Sequence, residues 1–143
     1  MLTSWTKLTR LKIGLLAAAV CTTVLFVGAG PASADASGCT LGSSSGNVVT
    51  CISILGHGLF VNEMTASADV VNSTRTLQVC LHGPASALPR CTPFEVVQPG
   101  GTITVQWFPN RDVPAGTYCA RTWRKNADGS TTLIGQACED VHS

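Results

Sequence analysis

The sequence has little charge. Only 12% of its 143 residues are Asp, Glu, Lys or Arg. Beyond residue 34, six bases stand against eight acids, a net charge of −2, and the only basic cluster is Arg121, Arg124 and Lys125. Nucleic acids and anionic membranes are bound by many clustered cations. We therefore expect neither as the main partner, and we interpret the cluster as the solvated face of one hairpin.

Motifs for cofactors and metals are missing. The sequence has no Cys-x-x-Cys pair and no phosphate loop, and its three histidines, His57, His82 and His142, lie far apart. A metal site would require the fold to join His57 and His82 to an acid. A carboxylate pair would have to come from Glu139 and Asp140, which as strand neighbours point to opposite faces. We predict no catalytic residue, no metal and no cofactor.

Helical periodicity is also absent beyond the N-terminal region. Short apolar–polar alternations recur instead, separated by turn residues every eight to twelve positions. This pattern is typical of two sheets packed face to face. We predict an all-β fold, a small disulfide-stapled antiparallel β-sandwich of about seven strands at residues 47–143, after a flexible segment at 35–46. The predicted strands lie within 46–55, 58–71, 74–81, 92–97, 102–108, 117–125 and 130–141.

The one long hydrophobic run lies near the N-terminus. A basic start precedes the apolar stretch 13–30, and "PASADA" (31–36) offers small-residue cleavage sites after Ala34 or Ala36. The alternatives are a single membrane-spanning helix, which needs roughly 20 apolar residues, and a lipoprotein anchor at Cys21, which lacks the small residue expected before it. We expect a signal peptide at 1–34, secretion to the extracellular space, and no stable membrane insertion after cleavage.

Six cysteines remain once that signal is removed, and an even number in a small exported chain indicates disulfides. Six cysteines allow 15 pairings. The spacing favours neighbours: Cys39–Cys51, Cys80–Cys91 and Cys119–Cys138.

The last hairpin leaves two registers open. If Asp128-Gly129 forms a two-residue turn, the numbers of paired residues sum to 257 and Cys119 faces Cys138. If residues 126–129 form a type I turn with a glycine bulge, the sum is 256, and the two cysteines align only after a further bulge.

The segment "CLHGPASALPRC" (80–91) has two interpretations. Prolines and a closing disulfide would make it rigid, as the presented loop of a protease inhibitor must be. Leu88, Pro89 and Arg90 are then the candidate inhibitory residues, Arg90 suiting a trypsin-like pocket. The other interpretation, which we prefer, is a stapled connection between two strands.

The aromatic residues could form a ligand-stacking face. However, the strand pattern places Trp107 and Trp123 on apolar faces, so we predict that both pack in the core. Phe108 follows Trp107 out of phase and is the expected exposed aromatic residue.

Several segments resemble known families. "VPAGTYCARTW" (113–123) resembles the tyrosine corner before the sixth strand of immunoglobulin-like sandwiches, although here the tyrosine stands one residue from the cysteine and not two. "LQVCLHGPASALPRC" (77–91) resembles the first disulfide hairpin of the secreted subtilisin-inhibitor family. The chain as a whole resembles small secreted proteins of actinobacterial type, which implies export and no particular activity.

These observations together predict a secreted, monomeric, non-catalytic β-sandwich. Its expected role is structural, or the binding of an extracellular protein or cell-wall ligand. The alternative is a serine-protease inhibitor that presents loop 80–91.

Overall fold

A computed structural model describes residues 35–42 and 47–143. The predicted signal peptide at 1–34 lies outside the described residues. The described chain forms ten strands: β1 (Ala36–Leu41), β2 (Val48–His57), β3 (Phe60–Val70), β4 (Arg75–His82), β5 (Arg90–Cys91), β6 (Glu95–Val97), β7 (Thr102–Trp107), β8 (Arg111–Asp112), β9 (Gly116–Lys125) and β10 (Thr131–Val141). None of its elements is a helix long and apolar enough to cross a membrane.

The strands form two antiparallel sheets of five. The first has the order β1-β2-β3-β7, with β8 also paired to β3, and the second has the order β10-β9-β4-β5, with β6 also paired to β4. The chain crosses between the sheets after β3, before β7 and after β8. The predicted all-β, disulfide-stapled sandwich is therefore confirmed. The seven predicted strands correspond to β2, β3, β4, β6, β7, β9 and β10, and the structure adds β1 and two-residue β5 and β8.

Alternation along the long strands builds the core. In β2, Val48, Ile52 and Ile54 are at most 1% exposed, and the alternate residues 49, 51 and 53 point out of the first sheet. In β4, Leu77, Val79 and Leu81 are fully buried from the opposite side. Because successive strand residues point to opposite faces, each sheet offers one apolar face to the other. Burying side chains of this size contributes about 1.5–3 kcal/mol each.

The N-terminal segment differs from the expectation. The sequence predicts a flexible segment at 35–46, of which 43–46 lie outside the described residues, but residues 36–41 form β1, which pairs with β2 from Ala36–Ile54 to Leu41–Val49. Thr40 Oγ1 also donates to the Gln136 carbonyl of the second sheet at 2.7 Å. The sequence signal was weak because four of the six residues of β1 are exposed, so no apolar alternation marks the strand.

Three disulfides staple adjacent strands. They are Cys39–Cys51, Cys80–Cys91 and Cys119–Cys138, the neighbouring pairs that the spacing favours. Each pair occupies directly opposite ladder positions, and the Cα–Cα distances are 4.1, 4.0 and 4.1 Å. Closing loops this short stabilises a fold by about 3 kcal/mol per bridge, because the unfolded chain loses entropy.

The β9–β10 hairpin uses the second register together with an added bulge. Gly129 N donates to the Asn126 carbonyl at 3.0 Å, and Gly129 has φ 85°, the left-handed conformation that glycine adopts without strain. Ser130 donates to Asp128 from its hydroxyl and its backbone N–H, and these bonds hold the pKa of that carboxyl below its ordinary value.

A bulge between Leu133 and Gly135 then shifts the register by one residue. Before it Leu133 pairs with Trp123, and after it Gly135 pairs with Thr122, so Cys138 arrives opposite Cys119. The extra residue of a bulge is what permits both pairings in one strand.

A polar contact between two threonines links the sheets inside the core. Thr50 and Thr122, both fully buried, share a hydrogen bond of 2.7 Å between their hydroxyls. Gly135 makes room for it, since a Cβ at that position would lie 2.1 Å from Thr50 Oγ1. Each buried hydroxyl therefore has a partner, without which it would cost about 1–3 kcal/mol.

Candidate functional site

Loop 83–89 folds back onto the body of the protein. Ala85 is only 6% exposed, Leu88 N donates to the Ala85 carbonyl at 3.0 Å, and the side chain of Leu88 packs against the core. The Leu88–Pro89 peptide bond is cis. An inhibitory side chain must protrude to fill a protease pocket, so this loop does not present Leu88.

Arg90 is the charged residue among the three candidate inhibitory residues, and it is exposed. It lies in β5, where it pairs with Leu81 beside the Cys80–Cys91 pair. Its backbone is thus part of the sheet rather than of a free, extended segment. The loop exposes the guanidinium of Arg90 at its neck, while its tip is held against the core through Ala85.

The histidines and acids occupy separate places. His57 ends β2 in the first sheet and stacks on Phe60, with ring centroids 5.4 Å apart, whereas His82 ends β4 in the second sheet. Asp140 accepts a hydrogen bond of 2.6 Å from the Thr117 hydroxyl. Within residues 35–42 and 47–143, no group of three His, Cys, Asp or Glu side chains could hold a metal ion.

A shallow, open depression of about 430 Å³ lies beside the last strand. Glu139 turns toward β1, where its carboxylate occupies the space that a Cβ on Gly38 would take. The depression contains no serine and no cysteine thiol that could act as a nucleophile, because its one cysteine, Cys138, is bonded. Its lining is Ala36, Thr117, Cys138, Glu139, Asp140 and His142.

His82 sits on the outer face of the second sheet, directly opposite Cys119. Its Nε2 is buried and has no hydrogen-bond partner in the described part of the chain. Desolvation, and secondly the positive charge of Arg121, lower the pKa of this histidine below its ordinary value of 6.5. His82 is therefore neutral at pH 7 and adds no charge to the sheet.

The two tryptophans of the sandwich have different environments. Trp107 is 5% exposed and packs in the core, as predicted. The prediction for Trp123 is wrong: this side chain is half-buried on the outer face of the second sheet. In β9 the inward residues are Tyr118, Ala120 and Thr122, all fully buried, so position 123 points outward. The inward positions of β9 include the small residues Ala120 and Thr122, so the apolar pattern that marks the inward face is weak in the sequence.

Trp123 lies at the centre of an outward surface that we call the Trp123 face. β9 has neighbours on both sides, and Trp123 pairs with Gln78 of β4 and with Leu133 of β10, which is 40% exposed. Along β9, every second residue points the same way as Trp123. The Trp123 face consists of Gln78, Arg121, Trp123, Lys125, Leu133 and Gln136.

Cations flank the ring on both sides along the strand. Alternate residues of a strand are about 6.6 Å apart, so Arg121 and Lys125 bracket Trp123 across about 13 Å. Arg121 Nε donates to Gln136 Oε1 at 3.0 Å, which fixes the plane of the guanidinium. Within the described residues, no acidic side chain forms an ion pair with either cation. The polar side chain of Gln78 is also fixed, through a 2.7 Å bond from its Nε2 to the Thr92 carbonyl.

Sequence reasoning missed this surface, although one signal pointed to it. Alternate residues of β9 point to the same face of the sheet, and on one face they are Cys119, Arg121, Trp123 and Lys125. A face that carries two cations is the solvent side of a sheet. Phe108, expected to be exposed, is 56% exposed at the end of β7 and belongs to the other sheet.

The fold and this surface define a class: a small all-β protein, with two disulfide-stapled sheets and one outer face centred on a tryptophan between cations. No protein-family description, no curated protein and no solved structure matches the chain.

Proposed function

We propose that the protein is exported and acts as a non-catalytic binding protein in the extracellular space or at the cell wall, through the Trp123 face. The observation that carries this proposal is the position of Trp123, a large aromatic ring turned out of the core at the centre of a sheet. Aromatic rings and arginine are enriched where proteins bind partners.

Export is supported by the three disulfides, since bridges of this kind persist in oxidising compartments. The proposed absence of a catalytic role is supported by the surroundings of two of the three histidines. His57 stacks on Phe60, and the Nε2 of His82 is buried and makes no hydrogen bond in the described part of the chain. All six cysteines beyond residue 34 are bonded, so none of them supplies a thiol nucleophile.

We also propose that the sandwich has immunoglobulin-like topology. In those domains strands A, B and E share one sheet and strands C, F and G the other. Here the order β2-β3-β7 fits A-B-E, and β4-β9-β10 fits C-F-G. The Tyr118 hydroxyl donates to the Pro114 carbonyl at 2.9 Å, which is the hydrogen bond of a tyrosine corner. Immunoglobulin-like sandwiches bind many kinds of partners, so topology supports a binding role without specifying the ligand.

A capture experiment tests the binding role. The oxidised protein, immobilised, is exposed to cell-wall fractions and culture supernatant, and the retained material is compared among native protein, Trp123→Ala and Phe108→Ala. Phe108→Ala is the matched control, because it removes an exposed aromatic residue from the other sheet. We expect material that Phe108→Ala retains and Trp123→Ala loses. Equal retention by all three proteins would contradict binding through this face.

Protease inhibition is the second proposal, and it now depends on Arg90. Leu88 packs against the core, whereas Arg90 is exposed and carries the positive charge that suits a trypsin-like pocket. The test is a titration of trypsin with the oxidised protein. Stoichiometric inhibition that Arg90→Ala abolishes would replace the binding role above as the main function.

A further inference from the structure

We infer that the ligand of the Trp123 face is an acidic oligosaccharide, a short chain of pyranose rings that carries carboxylate groups. The inference rests on the proposed binding function and names the ligand class for the same surface. It follows from three properties of the face: one central ring, two unneutralised cations that bracket it, and fixed amides beside them.

The ring supplies an apolar platform. Trp123 lies in the middle strand of β10-β9-β4, and Leu133, 40% exposed, extends the apolar surface on one side. The C–H face of a pyranose is flat and apolar, and binding sites commonly join such a platform to a few well-placed polar groups. A rigid ring also loses little conformational entropy on binding, since Trp has only two side-chain torsions.

The positive charges of the Trp123 face favour an anionic ligand. Arg121 and Lys125 lie on either side of Trp123, and no described acid forms an ion pair with them. The bond from Arg121 Nε to Gln136 leaves the two terminal guanidinium nitrogens for a ligand, and such a planar pair of donors matches a carboxylate. Desolvation and then Arg121 lower the pKa of His82, which lies on the same side of the sheet, so the positive charge of the face comes from Arg121 and Lys125.

The small number of cations limits the ligand's charge density. The two cations are about 13 Å apart along the strand with the ring between them. This arrangement suits a ligand whose charges are separated by sugar rings. Nucleic acid carries one charge per phosphate and is bound by clustered cations, while the domain beyond residue 34 has a net charge of −2. A neutral sugar would use the ring and leave both cations unpaired.

The test is isothermal titration calorimetry with the oxidised protein and three probes: trigalacturonate, maltotriose and a short oligothymidylate. The variants are Trp123→Ala, Trp123→Phe and Arg121→Gln, with Phe108→Ala and Arg90→Gln as matched controls on other surfaces. Circular dichroism establishes that each variant is folded. If Trp123→Ala fails to fold, Trp123→Phe and Arg121→Gln carry the comparison, because they keep an aromatic ring or leave the tryptophan in place.

We expect trigalacturonate to bind more tightly than maltotriose and oligothymidylate, with an affinity that falls as salt is added. Trp123→Ala should weaken this binding about tenfold or more. Arg121→Gln should weaken it about two- to fivefold, the range for one exposed ion pair. Both controls should bind like the native protein.

Several outcomes would overturn the inference. Equal binding of trigalacturonate by native protein and by the Trp123 and Arg121 variants would place the site elsewhere. Maltotriose binding as tightly as trigalacturonate would make the face a neutral-sugar site, and tighter oligothymidylate would make it a nucleic-acid site. If no saccharide binds while Trp123→Ala still loses material in the capture experiment, the ligand class is wrong and the binding function stands. If Trp123→Ala loses nothing there either, both fail.

Discussion

Replacing Gly135 with alanine should destabilise the protein by about 2–4 kcal/mol. The new Cβ would lie 2.1 Å from Thr50 Oγ1 and 3.0 Å from Thr50 Cβ, so the threonine must move. Movement breaks the 2.7 Å bond to Thr122 and leaves two buried hydroxyls unpaired. Overpacking a core costs about 1–3 kcal/mol, and an unpaired buried polar group costs about 1–3 kcal/mol. The two costs overlap, because the movement of Thr50 that relieves the overpacking is the movement that leaves the hydroxyls unpaired.

The assay is urea unfolding of the oxidised protein, followed by far-ultraviolet circular dichroism, with the free energy of unfolding taken from the midpoint and slope. Thr131→Ala, an exposed change in the same strand, is the control and should stay within about 0.5 kcal/mol. A double-mutant cycle with Thr50→Ala then tests the mechanism, since the variant removes the oxygen that the new methyl group would strike.

In the Thr50→Ala background, Gly135→Ala should cost about half as much as in the native protein, a coupling of about 1 kcal/mol or more. A cost that is unchanged in that background would show that the clash lies elsewhere. A Gly135→Ala protein as stable as the native one would refute the account of the bulge altogether.

Three further predictions concern single side chains. In the same unfolding assay, Trp107→Ala should lower the free energy of unfolding by about 3–5 kcal/mol, as expected for a buried aromatic residue. Trp123→Ala should lower it by less than about 1.5 kcal/mol. Equal losses for the two variants would contradict the outward position of Trp123. Tyr118 is the only tyrosine in the chain, and burial raises its pKa, so ultraviolet titration should show ionisation above the ordinary value of 10.0. Because the unfolded chain then releases that proton first, stability should fall as the pH rises past about 10, and ionisation at the ordinary pKa would disprove the burial. Desolvation and Arg121 lower the pKa of His82, so the midpoint of its NMR titration should lie below 6.5 and move upward in Arg121→Gln. As the pH falls, the unfolded chain takes up this proton before the folded protein does. The stability that this group contributes is therefore lost as the pH falls below about 6.5.

The bulge illustrates why part of the fold was within reach of the sequence and part was not. The turn residues 126–129 and the cysteine positions together required a hairpin with Cys119 opposite Cys138, and an added bulge was one of the two solutions. The location of that bulge depends on Thr50, a residue of the other sheet, whose hydroxyl leaves no space for a side chain at Gly135. No local pattern in β10 contains that information.

The candidate site shows the same division. The loop 80–91 was recognisable from its cysteines and prolines, but the burial of Leu88 depends on the core surface beneath it. The outward position of Trp123 depends on which phase of β9 the other sheet covers. The other sheet covers the face of β9 that carries the small residues Ala120 and Thr122. Small residues suffice there because Tyr118 and the Thr50–Thr122 bond already fill the space between the sheets.

The sequence by itself determined the β-strand architecture and favoured the neighbouring cysteine pairs, because alternation, turn residues and short spacings act locally along the chain. Only the tertiary structure decided which face of each strand is covered, where the β10 ladder slips by one residue, and that a tryptophan between two cations faces solvent. Those outcomes depend on contacts between residues far apart in sequence, such as the hydrogen bond between Thr50 and Thr122 in the close-packed interior.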